Sequence, residues 1–319
     1  MPEAATGTHP VAAVDCGTNS TRLLIAAADG ASLDRRMRIT RLGEGVDRTG
    51  ELQPAAVDRT LEVLRDYAEA IAVAGVRRRL AVATSAIRDA ANASTFLLPA
   101  AEVLGTELRV LAGDEEGRLS YGGATAELPK GGKRYIVVDV GGGSTELVTS
   151  SGGNSVEAVS LDVGCVRVTE RFLRSDPPAP GELSEARSYV TSLVDAARGE
   201  HPGFAAATGL NGSGGTALVG LAGTVSALTM LNLELGAYDR AAVHHACLTR
   251  ADVSRLLAEL AAVDVVARRE RRGMERDRAD VIVGGAVVLL AVMDVLCFSE
   301  LIVSESDILD GIVADLRPS

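Results

Sequence analysis

Tryptophan is absent from the 319 residues, and all aromatics together make up 3%. Small aliphatic side chains must then fill the core, and a hydrophobic content of 47% supplies them, which excludes a disordered chain. Lysine is nearly missing: Lys130 and Lys133 are the only two, so arginine carries almost all the positive charge. The formal net charge of −11 excludes a surface coated with basic groups for duplex DNA or an anionic membrane. Any polyanion must be gripped locally. Arginines cluster at Arg35, Arg36, Arg38 and Arg41, at Arg77 to Arg79, and in the run ending at Arg278, a pattern that solvated helix faces also produce.

The four cysteines, Cys16, Cys165, Cys247 and Cys297, form no CxxC pair. With no secretory signal before Val11, this predicts reduced, mostly buried thiols in a cytoplasmic protein. No apolar run is long enough for a membrane: the longest, Val281 to Met293, has 13 residues between Asp280 and Asp294. A span takes about 20, so this segment is expected as a buried core helix.

What is present is an α/β alternation over a length that suits two domains of about 150 residues each. From Val11 the chain reads strand, turn, strand (VAAVD, CGTNS, TRLLIAA), with a third strand near Arg36 to Thr40. A helix from Pro54 to about Ala74, the strand RLAVAT, a helix from Ser85, the strand ELRVL and a helix opening at Asp114 follow. After the Gly-rich interval AELPKGGKR the same opening recurs as YIVVD, GGGS and TELVTS, with a strand near Val156 to Ser160. Val14 to Leu24 and Val138 to Val148, at an offset of 124, are identical at six of eleven positions. A repeat at this scale implies two similar lobes rather than a solenoid. The rest is mainly helical, with the strand TALVGLA and the loops DPPAPGE and GLNGSGG, and ends in ELIVSESDILDGIVADL, a strand and helix that return to the first lobe. The expected domains are 1–125 plus 301–319, and 126–300.

The repeated turn has a chemistry. Glycine admits φ > 0 and lets a ligand approach the main chain without a Cβ in the way. Consecutive N–H groups plus hydroxyls form a concave site for phosphate, here Gly17, Thr18, Asn19 and Ser20 in one copy and Gly141, Gly142, Gly143, Ser144 and Thr145 in the other. Asp15 or Asp139 behind the turn would repel phosphate unless a cation sat between, and Mg2+ fits that need. Arg22 and Glu146 occupy matching places with opposite charge: Arg22 reads as a phosphate contact, Glu146 as a metal or water contact. Neither turn is a Walker A loop, and GSGGTA at Gly212 precedes its strand, so it is no dinucleotide fingerprint. Ser85, as helix N-cap, and Arg88, one turn in, make a second phosphate site. Arg167 and Arg278 are further cations for a long polyanion. His244 and His245 are expected to point to opposite faces of a strand, which argues against one shared ion.

DCGTNSTRLLIA and DVGGGSTELV resemble the two phosphate loops of the actin, sugar kinase and Hsp70 superfamily. More narrowly, with ATSAIRDA, GDEEGRLSYGGA, DVGCVRVTERF, GLAGTVSAL and RADVIVGGAVVL in order along nearly the whole chain, the sequence resembles the exopolyphosphatase and guanosine pentaphosphate phosphatase family. The resemblance implies an α/β fold of two ribonuclease H-like lobes flanking an interdomain cleft, and hydrolysis of terminal phosphate from inorganic polyphosphate or from pppGpp. It places the catalytic carboxylate at Glu116 in GDEEGRL, acting with Asp15 and Asp139. A carboxylate that positions and deprotonates water suits phosphoanhydride hydrolysis, whereas dipole compensation in a helix capped by Asp114 is the bland alternative. Gly223 and Thr224 lie where superfamily kinases place the nucleotide. Two departures stand out: Asp310 where the family has a basic residue, and Gly117 where it commonly has alanine.

The expectation is thus a Mg2+-dependent cytoplasmic exopolyphosphatase, a homodimer with no DNA or membrane partner, linked through pppGpp to the stringent response. A pppGpp phosphatase would use the same residues, with the nucleotide as substrate or regulator. An ATP-dependent kinase and a non-catalytic polyphosphate or alarmone sensor are the readings from other classes.

Overall fold

A computed structural model describes residues 9–129, 133–152, 155–205 and 215–317. The chain divides into two units, one running up to Gly123 and resuming at Ile308, the other Ala124–Asp307. In the first, strands β1 (Val11–Cys16), β2 (Ser20–Ala26), β3 (Ser32–Ile39), β4 (Arg78–Ala83) and β5 (Leu108–Val110) form one sheet in the order β3-β2-β1-β4-β5. In the second, β6 (Arg134–Val140), β7 (Thr145–Gly152), β8 (Ser155–Leu161), β9 (Thr216–Leu221), β10 (Cys247–Thr249) and β11 (Glu300–Val303) are ordered β10-β11-β9-β6-β7-β8. Each sheet begins as an antiparallel meander of three strands and continues with parallel ones, so β8-β7-β6-β9-β11 repeats β3-β2-β1-β4-β5, and the second adds an antiparallel edge strand, β10. This is the ribonuclease H type of sheet, built twice.

Period-two alternation puts apolar residues of the central strands on both faces of the sheet. Ala12, Val14 and Cys16 of β1, with Leu23 and Ile25 of β2, bury against the helices Pro54–Val73 and Ser94–Leu104. Val11, Ala13, Leu24 and Ala26 bury on the opposite face against Ile308, Leu309, Ile312 and Val313 of the last helix, Ile308–Leu316. A sheet covered on both faces needs such unbroken strands. Pro54 opens its helix at the first turn, where its missing N–H costs nothing, and Val57, Leu61, Leu64 and Ile71 line the buried face. In the second unit the helix Ile282–Val295 is buried on nearly every side among its neighbours, as its composition predicts, and about 21 Å of helix forms the centre of that core. No described helix is long and apolar enough to cross a membrane.

Several expectations change. The domain boundary moves from 300/301 to 307/308, because β11 pairs with β9 and β10 and only the helix after it joins the first unit; the other boundary falls at 123/124. Ser85 opens a helix of only five residues, and a second one follows at Ser94, because the Asn92 amide turns aside to bond both the N–H and the C=O of Leu52. Cys16 and Cys165 are buried, but Cys247 and Cys297 are exposed: one lies on a sheet edge and the other just past a helix end. His244 and His245 are not strand neighbours. His245 takes φ 65°, and the rings stack 3.8 Å apart, while His244 meets Glu127 and accepts from the Glu305 amide. Most of GLNGSGG, including Gly212, and Lys130 lie outside the described residues.

Candidate active site

The two turns share one backbone construction. Gly17 N donates to Ser20 O at 3.0 Å, and Gly141 N donates to Ser144 O at 3.1 Å. In both, a Cβ on the glycine would stand 3.0 Å from that carbonyl oxygen. Close approach, not positive φ, is therefore what demands glycine, since Gly17, Gly141, Gly142 and Gly143 all lie outside the left-handed region. Among the described residues the amides of Thr18 and Asn19, and of Gly142 and Gly143, donate to no acceptor. Each turn thus presents two adjacent N–H groups, the concave donor pair that suits an anion.

Around the first turn the chain brings four candidates together. Thr18 O accepts from Gly43 N, and Asn19 O accepts from Thr40 N and Arg41 N. Thr18 Oγ1 accepts from Ala86 N at 3.2 Å, which ties the turn to the segment beginning at Ser85. The N-cap there is Thr84, whose carbonyl accepts from Ile87 and Arg88, so Ser85 is the first helical residue and not the cap. Ser85 Oγ and Asn19 Nδ2 are buried, and among the described residues neither has a hydrogen-bond partner. Buried polar atoms are seldom left so, and a bound polar group is one way to satisfy them.

One turn on, Arg88 Nη1 donates to Leu111 O and to Glu116 Oε2, each at 2.8 Å. The helix carrying Glu116 is Gly113–Thr125, starting one residue before the expected cap, because the Ala112 carbonyl receives Glu115 N and Glu116 N. Asp114 consequently sits in the first turn and pairs with Arg118 at 2.8 Å. The two glutamates part ways: Glu115 reaches out to Arg109, while Glu116 is only 9% exposed and turns to Arg88. Gly117 is buried and does not interrupt the helix.

The residues behind the turns differ between units. Asp15 and Arg22 are direct cross-strand partners, and Arg22 donates to Asp15 Oδ2 from Nε at 3.0 Å and from Nη2 at 2.6 Å. The guanidinium expected on phosphate thus makes two donations to Asp15. In the second unit the equivalent partners are Asp139 and Glu146, both buried. Like charges directly opposite on a ladder destabilise it, and a cation between them would reverse the sign. Ser160 Oγ donates to Glu146 Oε1 at 2.7 Å. Among the described residues no three His, Cys, Asp or Glu side chains converge to hold a metal. A magnesium ion carried by one or two carboxylates, waters and phosphate oxygens needs no third, and the Asp139–Glu146 pair fits it.

The three glycine carbonyls of the GGGS turn face one helix, Cys165–Phe172. Gly141 O accepts from Cys165 N, Gly142 O from Val166 N and Arg167 N, and Gly143 O from Arg167 Nε at 2.8 Å. A Cβ on Gly164 would come within 2.5 Å of Gly142 O. Arg167 therefore braces the turn through its side chain, and Gly164, missed in the sequence, makes the close contact possible. Its signal was the glycine in DVGC. Arg278 is buried against Gly223, where a Cβ would meet its guanidinium at 2.3 Å, and it pairs with Glu275 at 2.9 Å. Close packing accounts for Gly223. Burial, then the neighbouring Asp15, pushes the Cys16 thiol well up, and burial raises Cys165 against the opposing charge of Arg278. Neither is a thiolate nucleophile.

A duplicated ribonuclease H sheet with a glycine turn and a buried aspartate at the same place in each copy defines a phosphate-handling protein of the actin-like class. The profile of the Ppx/GppA phosphatase family matches residues 24–319, and the chain belongs to that family. It is 42% identical to Exopolyphosphatase 2 of Mycobacterium tuberculosis over 96% of this chain and 98% of that protein. Among solved structures, an exopolyphosphatase-like protein is 34% identical with a TM-score of 0.86 over 96% of this chain and 98% of its own. The Ppx/GppA family member of Aquifex aeolicus is 32% identical with a TM-score of 0.77, covering 96% and 97%.

Proposed function

We propose that the protein is an exopolyphosphatase that removes terminal phosphate from linear inorganic polyphosphate by direct attack of water. The observation that carries this is the buried carboxylate of Glu116, held at 2.8 Å by Arg88 beside the unpartnered hydroxyl of Ser85. A general base needs a fixed carboxylate next to a phosphate-binding group, and these three residues supply both. In the first unit the donors of Thr18, Asn19, Ser85 and Arg88 hold phosphate oxygens, and in the second those of Gly142 and Gly143 do. Glu116 accepts the proton of the attacking water, whose oxygen forms the new bond to phosphorus as the bridging oxygen leaves with the shortened chain. Bound on Asp139 and Glu146, Mg2+ would offset the charge of the phosphate oxygens and of the two carboxylates. The identity with a mycobacterial exopolyphosphatase over nearly the full length of both chains supports the choice of polymer.

The test is phosphate release with Mg2+ from short polyphosphate, long polyphosphate, pppGpp and ATP in parallel. Release from polyphosphate is expected. Release from pppGpp alone would make the protein a guanosine pentaphosphate phosphatase acting through the same groups. Binding of polyphosphate without release from any substrate would leave a sensor, and phosphate passed to an acceptor other than water would leave a kinase.

A further inference from the structure

Across the second sheet, one row of neighbours runs Leu221, Asp139, Glu146, Ser160, fixed by the registers of β9, β6, β7 and β8. The equivalent row of the first sheet runs Val82, Asp15, Arg22, Met37. In the first sheet the aspartate is gripped by the guanidinium of its neighbour, and the outer position, Met37, has no hydroxyl to offer. In the second, the neighbour is a carboxylate, and the outer position is a serine whose hydroxyl donates to it at 2.7 Å.

We propose that Ser160 is a positioning residue for the reaction: its hydroxyl fixes the rotation of the Glu146 carboxylate so that it and Asp139 serve one divalent cation. This rests on the reading that Asp139 and Glu146 carry the metal. A glutamate has three side-chain torsions, and mutual repulsion with Asp139 favours turning its head away. A hydrogen bond from β8 opposes that rotation. Partners that orient a metal's ligands from behind typically hold about 10- to 100-fold in metal affinity. A serine that merely satisfied a buried oxygen would instead affect stability and leave cation binding alone.

The distinguishing measurement is Mn2+ binding to the intact, substrate-free protein, read from the electron paramagnetic resonance of free Mn2+, with thermal melting run alongside. Ser160→Ala is expected to weaken binding by about 10- to 100-fold and to raise the Mg2+ concentration for half-activation by the same factor. Ser160→Thr, which keeps the hydroxyl in a strand that tolerates a β-branched residue, is expected to restore both. Asp139→Asn should abolish the binding. If Ser160→Ala binds Mn2+ as tightly as wild type while Asp139→Asn and Glu146→Gln do not, the positioning role is overturned and the metal assignment stands. If all three bind like wild type, the metal assignment itself fails and takes the positioning role with it.

Discussion

Arg88 Nη1 donates at once to Glu116 Oε2 and to the carbonyl of Leu111, both at 2.8 Å, so one guanidinium nitrogen locks the proposed base to the end of the neighbouring strand segment. Two consequences separate the roles. Glu116→Gln keeps an acceptor for Arg88 but no longer takes a proton, so turnover should fall by about 10²- to 10⁴-fold with polyphosphate binding intact. Arg88→Lys keeps the charge but loses the planar fork, so both affinity and turnover should fall. Steady-state phosphate release with equilibrium polyphosphate binding checks both; full turnover in Glu116→Gln would remove it as the base.

Arg22 and Asp15 form an ion pair across neighbouring strands. Arg22→Ala would remove two charge-assisted bonds from a carboxylate that is 3% exposed, and losing one member of a buried pair costs about 3 kcal/mol or more. A lower urea midpoint for the first unfolding transition is the expected reading. At the matching place in the second unit the sign reverses: Glu146→Gln removes one of two facing carboxylates, so without divalent metal the midpoint should hold or rise. A fall comparable to that of Arg22→Ala would contradict this account of the asymmetry.

The helix Arg250–Ala261 begins with a reciprocal cap, in which Thr249 Oγ1 donates to Asp252 Oδ2 and accepts from Asp252 N at 3.1 Å. The bond from Thr249 is the chief cause that holds the Asp252 carboxyl below the ordinary aspartate range, with burial opposing it. A depressed folded value means that the contribution is present above the unfolded aspartate pKa and disappears as pH falls through the folded one. Thr249→Ala should then cost about 1 kcal/mol near neutrality, and the gap to wild type should narrow in acid. Urea midpoints measured across the acid range test this; a gap that stays constant would mean that the carboxylate contributes nothing.

The repeated turn was legible because its chemistry is local: a strand, an aspartate, a bare turn and a second strand lie within a dozen residues, and so does the exchange of Arg22 for Glu146. The Asp15–Arg22 bond was within reach too, since a tight turn fixes the register. What stayed hidden depends on distant segments. Arg88 meets Glu116 directly, from a segment 28 residues away, and Arg35 accounts for the unusual Asp310 by a two-oxygen ion pair at 2.6 and 2.7 Å. Gly164 fits against Gly142 only because a helix start docks on the turn. The cap at Asp114 failed for a local reason instead: Ala112 ends an extended segment with its carbonyl already pointing along the helix, and an acidic residue suits the first turn as well as the cap.

Gly164 and Gly122 make opposite predictions for the same substitution. At Gly164 a Cβ would meet Gly142 O at 2.5 Å and Gly141 O at 2.7 Å, and both atoms are backbone already bonded to the Cys165–Phe172 helix. No flexible end can swing away, so Gly164→Ala must push the GGGS turn out of register with its helix. Phosphate release should collapse, with a lower melting temperature. At Gly122, in the Gly113–Thr125 helix, a Cβ meets nothing within 4 Å. There alanine only removes backbone freedom from the unfolded chain, so Gly122→Ala should stabilise by about 0.5–1 kcal/mol with activity retained. Melting curves and phosphate release on the two variants decide it: if Gly164→Ala melts and turns over like wild type, the brace between helix and turn is not what holds the second turn in shape.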